Sequence, residues 1–117
     1  MPDNLERGAL TEAVYYILLS LYRPRHGYAI MQYVAKLTGG RVSLGPGTLY
    51  GAINSLIERN WITNVVNTED GRDARKKEYI ATTAGKAAVT REIERLEELI
   101  ANGKKVTEGD SGAYRNQ

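Results

Sequence analysis

In the stretch from Thr48 to Ser55, polar residues fall between apolar ones at helical spacing. Leu49, Ile53, Leu56 and Ile57 lie at i, i+4, i+7 and i+8, which places them on one buried stripe. The other face is left with Thr48, Tyr50, Gly51, Asn54 and Ser55. These side chains offer hydrogen bonding, not covalent chemistry. An asparagine amide pairs with the N6 and N7 edge of adenine in bidentate fashion. Thr48 falls in the first helical turn, where free backbone N–H groups and the helix dipole favour a phosphate. Tyr50 adds a ring and a hydroxyl. Gly51 costs about 1 kcal/mol relative to Ala in a helix interior; kept on an outward face, it permits close approach to a nucleic acid, or it is neutral drift. The face holds no Arg, so any guanine reading must come from elsewhere. Downstream, Arg72, Arg75, Lys76 and Lys77 form a second cluster suited to phosphates. Glu69, Asp70, Asp73 and Glu78 dilute it, so a few phosphate contacts are expected, and a solvated turn is the alternative.

Covalent and metal chemistry have little to work with. The chain of 117 residues has no Cys and a single His, His26. Disulfides, thiol nucleophiles, Cys-rich zinc sites and multi-His metal sites are excluded. No cofactor is required by anything in the sequence. Gly45-Pro46-Gly47 and Gly51 lack the preceding strand and the following Lys of a nucleotide loop. His26, beside Arg25 at a helix start, suits a phosphate contact or a cap. Glu92, Glu94, Glu97 and Glu98, with Arg91 and Arg95, read as a solvated helix face.

Charge is distributed unevenly although the net value is only +2. Between residues 21 and 67, Arg23, Arg25, Lys36, Arg41 and Arg59 face Glu58 alone. The first twenty residues and the last thirty are acidic on balance. A basic middle suggests one face for a polyanion. No apolar run approaches the roughly 20 residues of a membrane span, and Met1-Pro2-Asp3-Asn4 is unlike a secretory leader. A cytoplasmic protein without membrane contact is expected.

The elements that must hold these residues follow from periodicity. A first helix is predicted from about Ala9 to Tyr22, with Thr11 as an N-cap and Arg23-Pro24 as the stop. Leu10, Val14, Ile17, Leu18 and Leu21 make one apolar face; Tyr15, Tyr16, Leu19 and Tyr22 fill much of the other. A helix apolar nearly all round is buried on two sides, here by its own core and by a second subunit. The tyrosines either line an aromatic effector pocket between subunits or are ordinary interface packing. A second helix is predicted from Tyr28 to Leu37, with Gly27 at its N-cap and Gly39-Gly40 at its end. After a connector containing Ser43, a third helix runs from about Gly47 to Asn60. Ile62 to Asn67 and Lys76 to Ala81 read as the two strands of a hairpin with a charged tip. A last helix starts at Thr82 or Thr83 and runs to about Asn102-Gly103. Its Val89, Ile93, Leu96 and Ile100 are spaced 4, 3, 4, as in a short coiled-coil seam. The tail beyond is polar and expected to be disordered.

The predicted order is helix, helix, helix, hairpin, helix: a mainly α winged helix-turn-helix. Residues 1–81 would form the DNA-binding domain, residues 82–103 a dimerisation helix and residues 104–117 a tail. The major groove, about 12 Å wide, admits one α-helix. The third helix would enter it, with the second crossing the backbone and the hairpin reaching phosphates or the minor groove.

His26-Gly27-Tyr28-Ala29-Ile30, Gly47-Thr48-Leu49-Tyr50, Arg75-Lys76-Lys77-Glu78-Tyr79 through Thr82, and Leu10-Thr11-Glu12 occur in that fold order. With these pieces, residues 8–103 resemble PadR-type transcriptional regulators of the short subgroup. The resemblance implies a dimeric repressor on a pseudo-palindromic duplex, often of detoxification or efflux genes. It implies that Gly47-Thr48-Leu49-Tyr50 opens the recognition helix, that Tyr28 lies near the phosphates, and that the last helix packs on the partner's first helix. Leu10, Val14, Tyr15, Leu18, Val89, Ile93, Leu96 and Ile100 are then the dimer contacts. Some short members bind planar aromatic drugs through a Trp on the last helix. Here the only Trp, Trp61, follows the recognition helix and is expected to plug its junction with the hairpin. The competing reading is a winged-helix protein-interaction module without DNA binding.

Overall fold

The computed structural model describes residues 8–65 and 77–109. Helix α1 spans Glu12–Ser20. Thr11 is extended, and its hydroxyl accepts the Val14 N–H at 3.2 Å, a cap worth about 1 kcal/mol. The helix therefore starts at Glu12 and not at Ala9. It stops at the Leu21 cap, before the expected Tyr22. Ile17, Leu18 and Leu21 are fully buried. Ser20 is buried with them, its hydroxyl donating to the Ile17 carbonyl at 2.6 Å.

Strand β1, Arg25–His26, was not foreseen. It turns the expected two-stranded hairpin into a three-stranded antiparallel sheet in the order β1-β3-β2. Two residues after a proline carry no alternating pattern, so only the partner strand reveals them. Helix α2, Gly27–Leu37, takes His26 as its N-cap, with Gly27 as its first residue. It ends at Thr38, whose hydroxyl donates to the Val34 carbonyl and accepts the Val42 N–H. Gly39 and Gly40 follow in the left-handed region.

Helix α3, Pro46–Glu58, starts one residue before the expected Gly47 because Pro46 sits at its N-terminus, where a missing N–H costs nothing. Asn60, at φ 62°, turns the chain out of the helix, and the Trp61 N–H closes the turn on the Leu56 carbonyl. Strands β2, Ile62–Val65, and β3, Glu78–Ala81, follow. They pair from Ile62 with Ala81 to Val65 with Glu78. β3 alternates, with Tyr79 and Ala81 buried, as a strand with one face on the core must. Its start is two residues later than the expected Lys76. The Ala81 N–H donates to the Leu21 carbonyl and ties the sheet to α1.

Helix α4, Thr83–Lys104, is capped by the Thr82 hydroxyl on the Gly85 N–H. It does not stop at Gly103: one π-helical turn, Lys105–Gly109, continues it. Its 22 residues reach about 33 Å, and only the first half is buried against the core. That core joins Ile17, Leu18 and Leu21 to Ile30 and Val34, to Leu49, Ile53 and Leu56, and to Trp61, Ile62, Tyr79, Ala88 and Val89. Each fully buried aliphatic side chain stabilises the fold by roughly 1.5–3 kcal/mol.

Candidate nucleic-acid interface

Helix α3 buries Leu49, Ile53 and Leu56 and half-buries Ile57. This anchoring leaves Thr48, Tyr50, Gly51 and Asn54 exposed on one face, with Ser55 half-buried at its edge. Ser43, in the connector, is also exposed. Tyr28 projects from the second position of α2, 61% exposed. Lys77 is exposed one residue before β3. Arg72, Arg75 and Lys76 lie outside the described residues.

Tyr50 differs from its neighbours. It is 44% exposed, and the hydroxyl end of its ring fills the space where a Cβ on Gly27 would stand. It also lies near Tyr79. Burial, and next the proximity of Tyr50, hold the Tyr79 phenol above its ordinary pKa. Arg25 is folded over the Tyr33 ring, with its guanidinium carbon 4.2 Å from the centroid, so it belongs to the sheet edge and packs on α2. Trp61 is buried at the end of α3, as its place in the sequence predicted. Its carbonyl accepts the Thr82 N–H.

The dimer candidates divide into two sets. Leu18 and Val89 are fully buried, and Leu10 is only 9% exposed. Their side chains are packed into the single hydrophobic core of the chain. Val14, Tyr15 and Leu96 are half-buried, while Ile93 and Ile100 are exposed. Leu99 on α4 and Val106 in the turn that continues it are exposed as well.

A cleft of about 280 Å³ between α1 and α4 is lined by Leu10, Glu12, Tyr15, Tyr16, Glu92, Arg95 and Leu96. Tyr15 and Tyr16 meet edge to face with centroids 5.5 Å apart. Tyr22 is not part of it; its ring instead lies under the Lys86 ammonium.

Glu92 corrects the reading of a solvated face. It is 3% exposed, receives two hydrogen bonds from Arg95 at 2.7 and 2.9 Å, and accepts the Leu10 N–H at 3.3 Å. The Arg95 hydrogen bonds hold its carboxyl below the usual glutamate pKa, against the opposing effect of burial. The signal in the sequence was its register: Ala88, Glu92 and Leu96 share one helical stripe. Glu12 is paired in turn with Arg41 on the surface. Among the described residues, no group of three His, Cys, Asp or Glu could hold a metal ion, and no helix is long and apolar enough to cross a membrane.

The transcriptional regulator PadR-like family matches residues 16–91 of the chain. Among solved structures, a transcriptional regulator from Clostridium thermocellum is 20% identical, with a TM-score of 0.66 over 91% of this chain and 100% of that one. A PadR-like transcription factor from Bacteroides fragilis is 23% identical, with a TM-score of 0.65 over 81% of this chain and 89% of that one. The PcaV transcriptional regulator of Streptomyces coelicolor, solved with its natural ligand, is 18% identical, with a TM-score of 0.56 over 89% of this chain and 67% of that one. At such identities these likenesses speak for the fold. No curated protein matches the sequence.

Proposed function

The chain belongs to the PadR-like family of transcriptional regulators, and on that footing we propose that it is a homodimeric, sequence-specific reader of double-stranded DNA that represses its target genes. The family is one of regulators and not of enzymes. The observation that carries the reading is the polar face of α3, where Thr48, Tyr50, Gly51 and Asn54 stand exposed on a helix anchored by three buried aliphatic residues. In this reading Asn54 addresses a base edge, with Ser55 beside it. Thr48, Tyr28 and Ser43 meet phosphates. Lys77, with Arg72, Arg75 and Lys76, supplies the wing's contacts.

Two such faces need two chains. The uncovered row of Ile93, Leu99 and Ile100 on α4, with Val14, Tyr15 and Leu96, would make the contact. A two-fold dimer reads a pseudo-palindrome. A small aromatic effector would enter the tyrosine-lined cleft between α1 and α4, and its binding there would release the operator. Detoxification or efflux genes suit a regulator of this kind.

The test is a pair of substitutions measured at several salt concentrations. Asn54→Ala should weaken binding to the preferred duplex by roughly 1–3 kcal/mol and leave unrelated DNA unaffected. Lys77→Ala should weaken both and flatten the dependence on salt. Full specific binding by the Asn54 variant, or an affinity indifferent to salt, contradicts the proposal.

A further inference from the structure

A tyrosine on an outward helical face is ordinarily free to lean toward whatever the face meets. Tyr50 is not, because the hydroxyl end of its ring lies in the volume that a Cβ at position 27 would occupy. Gly27 is the first residue of α2 and is itself buried. The sheet sets Tyr79 opposite Arg25, two residues before Gly27, near enough to Tyr50 for the two phenols to interact electrostatically. Two elements meet at this side chain and a third lies nearby. They are the candidate recognition helix, the N-terminus of α2 with its exposed Tyr28, and the strand that returns from the wing.

We propose that Tyr50 is a positioning residue, whose ring, seated on Gly27, fixes α3 relative to α2. The inference rests on the DNA-reading function proposed above. It also explains why a glycine opens α2. A side chain at Gly27 would meet only the far end of the tyrosine, and a half-exposed ring can rotate away without unfolding the core. The direction left open to it is outward, into the face that carries Thr48 and Asn54. Gly27→Ala thus converts a packing residue into an obstruction at the face that must approach DNA.

The experiment compares Gly27→Ala, Tyr50→Phe, Tyr50→Ala and the Gly27→Ala/Tyr50→Ala pair. Each is measured by thermal unfolding and by affinity for a duplex selected by the wild-type protein and for an unrelated duplex. Tyr50→Phe keeps the ring over Gly27 and should leave the unfolding midpoint at the wild-type value. Gly27→Ala should lose roughly tenfold in specific affinity, equivalent to about 1.4 kcal/mol, with unrelated DNA unchanged. In the Tyr50→Ala background the same glycine substitution should do nothing further to affinity or to the unfolding midpoint. Wild-type binding by Gly27→Ala, additive effects of the two substitutions, or an equal loss on unrelated DNA would overturn the proposal. If Gly27→Ala alone fails to fold, recovery of the fold in the double variant supports the seat, and continued failure overturns it. Should the wild-type protein select no duplex, the positioning role falls together with the DNA reading, and the unfolding comparison still shows separately whether glycine and tyrosine are coupled.

Discussion

Single residues here owe their importance to the atoms around them more than to their type. Gly85 illustrates this as clearly as Gly27, with the opposite consequence. A Cβ at position 85 would meet the Trp61 backbone carbonyl, and that carbonyl is held in place by the Thr82 N–H. Nothing there is a flexible side-chain end, so the clash has no cheap escape. Gly85→Ala should cost about 2 kcal/mol, within the usual range for overpacking, and lower the thermal midpoint by several degrees. An unchanged midpoint would show that α4 is not locked to Trp61 in solution. At this scale the sequence was informative about types and poor about surroundings. The exposure of Thr48, Gly51 and Asn54 follows from the spacing of Leu49, Ile53 and Leu56. The seating of Tyr50 on Gly27 does not, because residues 23 positions apart meet only through the fold.

Elements bring a second lesson, visible in α4. Its first half is a core helix and its second half is a bare apolar row, yet a single spacing pattern runs through both. Val89 and Ile93 look alike in sequence; one is fully buried and the other 39% exposed, because the domain beneath the helix ends between them. Glu92 stands at that border. Its pairing with Arg95 and the Leu10 N–H links α4 to the segment entering α1. The folded carboxyl titrates below the ordinary glutamate value, so the unfolded chain binds the proton more tightly. The resulting stability is present above that value and is lost as pH falls through the lower, folded one. Glu12, paired with Arg41, acts with the same sign, but its exposed pair is screened by salt. Unfolding followed from about pH 7 to about pH 3 should show a shallower acid decline for Glu92→Gln than for the wild type. Identical acid profiles would remove Glu92 from the account. The helices themselves were legible from apolar periodicity, and Thr11 and Thr82 from their capping chemistry. β1 was not, since a two-residue strand carries no pattern of its own and exists only through Tyr79 and Glu78 opposite it.

The whole molecule sets a winged-helix domain on a long, partly uncovered helix. One chain presents one α3 face, and a single helix contacts too few base pairs to single out an operator among many competing sites. In the proposed dimer, a second chain on the exposed Ile93, Leu99, Ile100 and Val106 would double that number. The proposed function needs both a face and a symmetry, and selection of bound sequences from random duplex DNA at about 100–150 mM salt tests the two at once. At that ionic strength exposed, distant charge contacts are weakened. The account predicts recovery of an inverted repeat whose half-sites lie about one helical turn apart, roughly 34–36 Å, or a multiple of it. Failure of a folded protein to enrich any sequence would contradict it and favour a winged-helix module that binds protein instead.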